Sequence, residues 1–337
     1  MQVLIQDVVK ASMKALQGAG VPEASAQLQV DLLLEADLRG RPSHGLMRLP
    51  RVVERIGNGV ADPLATGEHH WKGNLLEVDG GNGLGPVVAC AALDAMSKRV
   101  ADAGVAVAAV RNNNHLGMLA WYAERVAREG QILLAMCTSE ALVHPWGGRK
   151  AMLGTNPLAI GVPTASGPFV LDMATSLVSM GQIHDYALKG KSIPSNWALD
   201  ADGEPTTDAA AAKLGSIAPF GEAKGYALGL ALEVLITSLT RSAVGRDVVG
   251  TLDSTKACNK GDVFMLIDRG ARPEVDELVA VYLDAIRNAG KEGSKVSVPG
   301  DRAQATRTRH LAEGEIVLSD DVWARIQNYA DTVGALR

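Results

Sequence analysis

In the middle of the chain, short apolar runs alternate with segments of helical periodicity. The runs NLLEVDGG, VAVAAVRN and QILLAMCTS are apolar over much of their length and rich in Val, Ala and Leu. Runs of this kind are typical of strands buried on both faces of a sheet, and the intervening helices indicate an α/β fold. PLAIGVPT and FVLDMATS are separated only by ASGP, which predicts a hairpin. We therefore expect a mixed sheet.

The rest of the middle region follows this pattern less closely. AKGYALGLALEVLITSL predicts a long apolar helix, and DVFMLID predicts a last buried strand. Before them, KGKSIPSNWALDADGEPTTDAAAA is polar and rich in turn residues, so we predict a surface loop there.

Both ends of the chain show helical periodicity. The helices predicted there cover 3–16, 21–40, the vicinity of 52–56, 273–290 and 319–336. A length of 337 residues exceeds what one hydrophobic core usually holds. We predict a helical domain made from both termini, 1–70 and 272–337, and a mixed-sheet domain over 71–271.

Composition excludes several classes of protein. The chain has 33 Lys and Arg against 38 Asp and Glu, and this slightly acidic balance provides no positive electrostatic field that would attract nucleic acid. No stretch approaches the roughly 18 uncharged apolar residues of a membrane span. Cys90, Cys137 and Cys258 form no CxxC pair, so we expect neither structural zinc nor a disulfide framework. These features predict a cytoplasmic protein without metal.

The first candidate site is Ser43-His44 with Arg48, between two predicted helices. Imidazole exchanges protons near neutral pH, and a guanidinium binds a carboxylate through two parallel hydrogen bonds. If Gly45 opens a helical turn, His44 and Arg48 point the same way. The alternative is a polar turn with a helix-capping serine. Neighbouring side chains diverge, so Ser43 and His44 are not expected to form a nucleophile–base pair.

The second candidate is His115 in RNNNHLGML, where a predicted strand ends. Functional groups gather where the strands of an open sheet run out into loops. The three asparagines before His115 carry amides that can set its tautomer. Alternatively, the segment is an ordinary turn in which Asn114 caps the next helix.

Other segments carry weaker signals. PWGGRKAMLGTNPLAIGVP combines glycines with hydrogen-bonding side chains, which suits either a ligand or tight turns. Asp172 lies inside an apolar strand and so needs a partner or a ligand. Lys224 lies near the predicted start of a helix. Its ammonium group either binds a phosphate or carboxylate or is exposed to solvent. GGNGLGP fails the ordinary dinucleotide fingerprint because Pro86 occupies the third glycine position.

Taken together, these motifs resemble the malate/L-lactate dehydrogenase family that lacks a Rossmann fold. The resemblance runs in order through DLRGRPSHGLMRLP, NNNHLGMLAWYAERVAREG, PWGGRKAMLGTNPLAIGVP, FVLDMATS, IPSNWALDADGEPTTD and AKGYALGLALEVL. Family members include ureidoglycolate, sulfolactate and diketogulonate dehydrogenases and cyclic imine-2-carboxylate reductases. The resemblance implies hydride transfer between NAD or NADP and a small 2-hydroxy or 2-oxo acid. It also implies a non-Rossmann cofactor domain and a homodimer.

The resemblance assigns roles to particular residues. His115 matches the proton-transferring histidine, Ser43 and His44 the pair at the substrate oxygen, and Arg48 the clamp on the substrate carboxylate. The positions that match cofactor contacts are Ser139, Asp172, Met173, Ala174, Thr175, Lys224, Gly225 and, near a late loop, Arg302.

Two departures from the family pattern bear on the substrate. Glu222 and Ala223 replace a glycine-histidine pair, and Leu116 replaces an aromatic residue. The tryptophan-acidic segment of many imine reductases is poorly matched by LGMLAWYAER, which favours an alcohol or ketone substrate. The alternatives are a cyclic imine-2-carboxylate reductase and a non-catalytic metabolite-binding homologue.

Overall fold

The computed structural model describes residues 1–291 and 293–332. In chain order, its helices and strands are β1 (Gln2–Leu4), α1 (Ile5–Gly18), α2 (Glu23–Leu38), α3 (Leu49–Gly57), β2 (Glu68–Lys72), β3 (Leu75–Gly83), α4 (Gly85–Ala103), β4 (Val105–Asn113), α5 (Leu119–Arg128), β5 (Ile132–Cys137), β6 (Leu158–Val162), β7 (Phe169–Met173), α6 (Met180–Leu188), β8 (Ala198–Leu199), α7 (Ala209–Ala212), β9 (Ser216–Ile217), α8 (Ala223–Thr240), β10 (Asp262–Ile267), α9 (Pro273–Arg287), α10 (Asp301–Glu313), β11 (Glu315–Val317) and α11 (Asp320–Thr332). The predicted helix 319–336 lies outside the described residues from 333 onward.

A seven-stranded sheet forms the centre of the molecule, in the order β2-β3-β4-β10-β5-β6-β7. β3 and β4 pair in parallel, and the other neighbouring strands of this sheet pair antiparallel. β6 and β7 form the predicted hairpin. The predicted mixed-sheet α/β fold is confirmed.

Helices cover the two faces of this sheet, as the apolar strands require. α4 packs on β3, β4 and β10, and α5 packs on β5, β6 and β7. Side chains on that face, such as Phe264 and Leu133, belong to one large buried cluster. The alternate residues, such as Val263 and Met136, pack against Ile236 of α8. This alternation follows from the two-residue period of a strand.

The helices from the two chain ends pack together beside the sheet. α1 contacts α2 and α11, and β1 pairs with β11. Their apolar side chains, including Leu16 and Ile326, form a second buried cluster. The division into domains 1–70 with 272–337 and 71–271 stays a prediction. The predicted helical domain includes α9. This helix contacts the middle region through Asp276, which forms a salt bridge with Arg269.

Two segments differ from the sequence expectation. α10 is not predicted, because DRAQATRTRHLAE lacks apolar periodicity and none of its residues is fully buried. Polar contacts hold this helix, including Arg307 Nε to Glu35 at 2.5 Å. The predicted loop over 189–212 contains β8 and α7, and Ile193 and Ala198 belong to a small cluster of buried apolar residues. None of the helices in the described residues is long and apolar enough to cross a lipid bilayer.

Candidate active site

The bend 42–48 carries three of the predicted site residues. It consists of two consecutive 3-10 turns, Pro42–His44 and Leu46–Arg48. The buried Asp37 carboxylate accepts a hydrogen bond from Leu46 N–H at 2.7 Å. Gly45 lies against the same carboxylate, so closely that an added Cβ would be 2.2 Å from Asp37 Oδ2. Asp37 and Gly45 therefore fix the shape of the bend.

Ser43 and His44 contact each other inside this bend. Ser43 Oγ lies 3.0 Å from His44 Nδ1. The expectation that these neighbouring side chains diverge is wrong, because divergence holds along a regular helix or strand and not across a tight turn. The hydroxyl and the imidazole form one hydrogen-bonded pair.

His115 follows the end of β4, where the chain approaches α4 closely. A Cβ added to Gly85 would lie 2.1 Å from the carbonyl oxygen of His115, so only glycine fits there. The last glycine of GGNGLGP therefore lets α4 lie against the His115 backbone. The glycine-rich segment thus has a packing role at this position.

A backbone amide sets the tautomer of His115. Gly117 N–H donates to His115 Nδ1 at 3.0 Å, so the proton of the neutral ring resides on Nε2. The expectation that the preceding asparagines set this tautomer is wrong. Asn112, Asn113 and Asn114 bond instead to Asp79, Asp262 and the backbone of 82–83. Asn114 is not the cap of α5 either, since Met118 occupies that position.

The bend 42–48 and the end of β4 meet at one cavity. The rings of His44 and His115 are stacked, with centroids 5.8 Å apart. The cavity beside them, which we call the inner cavity, has a volume of about 390 Å³. The sequence-predicted residues that line it are Ser43, His44, Arg48, His115, Ser139, Asp172, Met173 and Ala174.

Arg48 is held at the wall of the inner cavity by backbone carbonyls. Its Nε donates to Ser43 O at 2.8 Å, and a terminal nitrogen lies 3.5 Å from Thr251 O. Glu140 orders the segment that supplies the second carbonyl, since its carboxylate accepts from the N–H groups of Thr251 and Leu252. No carboxylate of the described residues lies within 4 Å of the Arg48 guanidinium, so it can bind an anion.

Both histidines of the site are held neutral near pH 7. Burial lowers the pKa of His44 to about 4, helped by the positive charges of Arg48 and Arg41. Burial also lowers the pKa of His115 well below its usual range, and the nearby Arg48 contributes to this shift. The two rings are therefore hydrogen-bonding groups in the free protein, with Arg48 as the neighbouring positive charge.

The inner cavity contains a buried ion pair that the sequence alone does not predict. Lys260 lines the cavity and pairs with Asp262, although their side chains are only 2% and 0% exposed. Asn113, two residues before His115, donates to the same Asp262 carboxylate at 3.0 Å. The sequence feature that could indicate this pair is a lysine and an aspartate on either side of Gly261, at the start of a buried strand.

Asp172 connects the inner cavity with a second one. Its carboxylate accepts from Ala120 N–H at 2.8 Å, the partner expected for a charge in an apolar strand. Burial raises the pKa of Asp172, against the opposing effects of this hydrogen bond and of Arg41. Asp172, Arg41 and Met118 also line a neighbouring cavity of about 640 Å³, which we call the outer cavity. Arg302, expected near a late loop, lines the outer cavity from the first turn of α10.

The remaining predicted residues lie outside both cavities. Thr175 is buried, and its hydroxyl donates to Thr155 O at 2.9 Å. Lys224 is exposed in the first turn of α8. Gly225 packs against Phe220 O, where a Cβ would lie 1.8 Å away. Their matched roles as cofactor contacts stay predictions.

The two cavities are large enough for an extended ligand. Ligand pockets typically measure ~300–1,000 Å³, and these two share residues along one wall. The lining includes the Ser139 hydroxyl and the Asp172 carboxylate, groups that can bond to the hydroxyl and amide groups of a ligand. Within residues 1–291 and 293–332, no group of three or more His, Cys, Asp or Glu side chains is arranged to hold a metal ion.

Comparison with known proteins shows the family to which this fold belongs. The family model described as malate/L-lactate dehydrogenase matches residues 3–327. L-sulfolactate dehydrogenase of Methanothermobacter thermautotrophicus is 37% identical, over 98% of this chain and 96% of its own. Delta(1)-pyrroline-2-carboxylate reductase of Pseudomonas fluorescens is 35% identical, over 92% and 93%.

A solved structure is also similar to this chain over almost its whole length. The crystal structure of a dehydrogenase from Sinorhizobium meliloti has a TM-score of 0.92 and 46% identity, and covers 98% of both chains. The resemblance stated from the sequence motifs is confirmed. The chain belongs to the malate/L-lactate dehydrogenase family and is an oxidoreductase.

Proposed function

We propose that this protein transfers a hydride between NAD or NADP and a small 2-hydroxy or 2-oxo acid of the malate, lactate, sulfolactate or ureidoglycolate type. The observation that carries this proposal is the meeting of His115, His44 and Arg48 at the inner cavity, which shares a wall with the outer cavity. When bound, the nicotinamide cofactor donates or accepts the hydride. Ser139, Asp172, Met173 and Ala174 would hold it beside the substrate.

Arg48 binds the carboxylate of the acid in this proposal. Its guanidinium has no acidic partner among the described residues, and a carboxylate is the anion that its planar donors fit. Fixing the acid in this way places its C2 atom and oxygen beside His115. Such positioning lowers a barrier by several kcal/mol, because orientation no longer has to be found by collision.

His115 exchanges the proton with the substrate oxygen at Nε2. In the free protein Gly117 N–H occupies Nδ1, so the Nε2–H is the hydrogen-bond donor for the substrate oxygen. Full transfer of this proton to a 2-oxo acid starts from the imidazolium, whose Nδ1–H replaces the Gly117 contact. A carboxylate on Arg48 offsets the positive charge that lowers the pKa of His115, and so makes protonation of the ring easier. Ser43 and His44 form the adjacent pair that contacts the same oxygen and assists the proton movement. Proton transfer of this kind contributes roughly 10²–10⁴-fold to a rate.

A cyclic imine-2-carboxylate is the second candidate substrate. The Pseudomonas fluorescens relative is named for a reaction of this class, and the same Arg48 would bind the imine's carboxylate. A non-catalytic metabolite-binding protein is less favoured, because His115 and Arg48 line the same cavity and could act together on an acid.

We further propose a cytoplasmic homodimer. Cys90, Cys137 and Cys258 are buried free thiols, in keeping with a reducing compartment. α8 exposes Leu228, Leu230, Val234 and Leu235, an apolar surface that a second copy would cover. Light scattering of the purified protein tests the dimer, for which twice the chain mass of 35.3 kDa is expected.

The function is tested by a panel of substrates. The pure protein is mixed with NADH or NADPH and with oxaloacetate, pyruvate, sulfopyruvate, oxalurate, piperideine-2-carboxylate or pyrroline-2-carboxylate, and loss of the reduced-nicotinamide absorbance is followed. Turnover of a 2-oxo acid is expected. Turnover of the cyclic imines alone would select the second candidate, and no turnover with any acid or cofactor would contradict both.

A further inference from the structure

The outer cavity is unusually rich in arginine. It lies between the bend after α2, α5, the β6–β7 hairpin and the start of α10. The arginines that line it are Arg39, Arg41, Arg128, Arg287 and Arg302.

Three of these five arginines are neutralised by carboxylates. Arg39 and Arg128 pair with Glu124, and Arg287 pairs with Asp284 and Asp301. Arg41 and Arg302 pair with no carboxylate among residues 1–291 and 293–332. Both are exposed to the solvent of the cavity, so they are available to a ligand anion.

The two available arginines lie at different places along the joined cavities. Arg41 lines both cavities and so stands at their junction, beside Asp172. Arg302 lines only the outer cavity. A dinucleotide whose nicotinamide end lies at His115 would bring its pyrophosphate to the junction and its adenosine to the outer cavity. In the outer cavity the adenosine of NAD carries no further anionic group, whereas the adenosine ribose of NADP carries a 2′-phosphate.

We propose that this enzyme prefers NADP(H) over NAD(H), with Arg302 binding the 2′-phosphate; this rests on the proposed function. In Rossmann-fold enzymes a carboxylate binds the ribose hydroxyls of NAD, whereas an arginine accommodates the 2′-phosphate of NADP. The same charge complementarity applies to a ribose bound in another fold. Asp301, a carboxylate of the outer cavity, is already engaged by Arg287 at 2.9 Å and by Val298 N–H at 3.0 Å. The hydroxyl of Ser166, which lines the same cavity, can add a neutral donor, whereas the hydroxyl of Thr164 already donates to Gly167 O.

The preference is tested by binding, without turnover. Calorimetric titration compares adenosine 2′,5′-bisphosphate with 5′-AMP, which lacks only the 2′-phosphate. We expect the bisphosphate to bind at least 10-fold more tightly, as a charged hydrogen bond implies. Arg302→Ala should remove most of this ratio while the affinity for 5′-AMP changes less than twofold. Arg309→Ala, on an exposed position of the same helix, is the matched control and should leave the ratio unchanged.

Equal affinities for the two nucleotides, binding of neither, or an unchanged ratio in Arg302→Ala would overturn the proposal. Failure of the proposed function is a separate result, since it is an absence of turnover in the substrate panel. An enzyme that reduces acids equally well with NADH and NADPH would keep the function and overturn the preference.

Discussion

The backbone N–H of Gly117 donates a hydrogen bond to Nδ1 of His115 at 3.0 Å, and this contact leaves Nε2 as the ring nitrogen that is free to bond a ligand. For the neutral ring, the remaining proton lies on Nε2. Burial, aided by neighbouring positive charges, lowers the pKa of His115 and holds the ring neutral. His115 is therefore preorganised as a hydrogen-bond donor to an oxygen through Nε2–H. Full proton transfer in either direction places a proton on Nδ1 and so breaks the Gly117 contact.

His115→Ala should abolish turnover and leave cofactor binding almost intact. The substitution removes the Nε2 donor, and loss of proton transfer lowers kcat by roughly 10²–10⁴-fold or more. Steady-state kinetics and nucleotide titration measure the two effects. His70→Ala, on the exposed edge strand β2, is the control and should behave as wild type. Full activity of His115→Ala would remove this residue from the mechanism.

Arg48→Ala should act mainly on the Michaelis constant for the acid. Losing a charged hydrogen bond of about 1.5–3 kcal/mol corresponds to a rise in KM of roughly 10–150-fold. Arg48 also supports the bend through Ser43 O, so kcat should fall by a smaller factor. Arg48→Lys keeps the charge but loses the planar donor pair and should give an intermediate KM. An unchanged KM in Arg48→Ala would show that the carboxylate binds elsewhere.

The sequence predicts those parts of the fold and site that depend on local patterns. The apolar strands, the hairpin and the terminal helices each follow a short-range pattern. The candidate residues at 43–48 and at 115 each lie within one short motif. Lys260 could not be placed, because its role depends on Asp262 and on the distance to β4, which only the folded sheet establishes. The sequence does not predict α10 for a related reason, since contacts with Glu35 and Glu124 stabilise this helix in place of an apolar face.

Replacing one member of the Lys260–Asp262 pair should lower the free energy of unfolding more than replacing both members. Removing one member leaves an unpaired buried charge, a loss of about 3–5 kcal/mol in the free energy of unfolding. Lys260→Met and Asp262→Leu should each show this loss in urea denaturation. The double variant should recover at least half of it, because both charges are then absent. Additive losses in the double variant would mean that the two residues do not act as a pair.

Asp37 should make stability fall as the pH rises. Burial raises the pKa of Asp37 to about 7, against the opposing hydrogen bond from Leu46 N–H. The folded state therefore holds a proton that the unfolded chain loses above its ordinary pKa of 3.8. The stability from this proton is fully present below about pH 4 and is lost progressively up to about pH 7.

Asp37→Asn, which cannot ionise, isolates this effect. The difference in unfolding free energy between Asp37→Asn and wild type should move in favour of the variant by roughly 1–4 kcal/mol between pH 4 and pH 8. The buried His44 gives the opposite slope in both proteins, since its lowered pKa of about 4 costs stability as the pH falls below 6.5. Subtracting one curve from the other cancels that contribution. A difference independent of pH would contradict the raised pKa of Asp37.

Glu222→Gly should stabilise the protein. Glu222 precedes α8 with φ 60° and ψ −124°, a conformation in which a side chain is strained and glycine is not. Such strain costs about 1–3 kcal/mol, and the extra flexibility of glycine in the unfolded chain offsets only part of the gain. We expect Glu222→Gly to raise the free energy of unfolding by about 1 kcal/mol in urea denaturation. Glu222→Ala is the matched control, because it removes the carboxylate but keeps the strained Cβ. Equal stability of the two variants would show that Glu222 stores no strain.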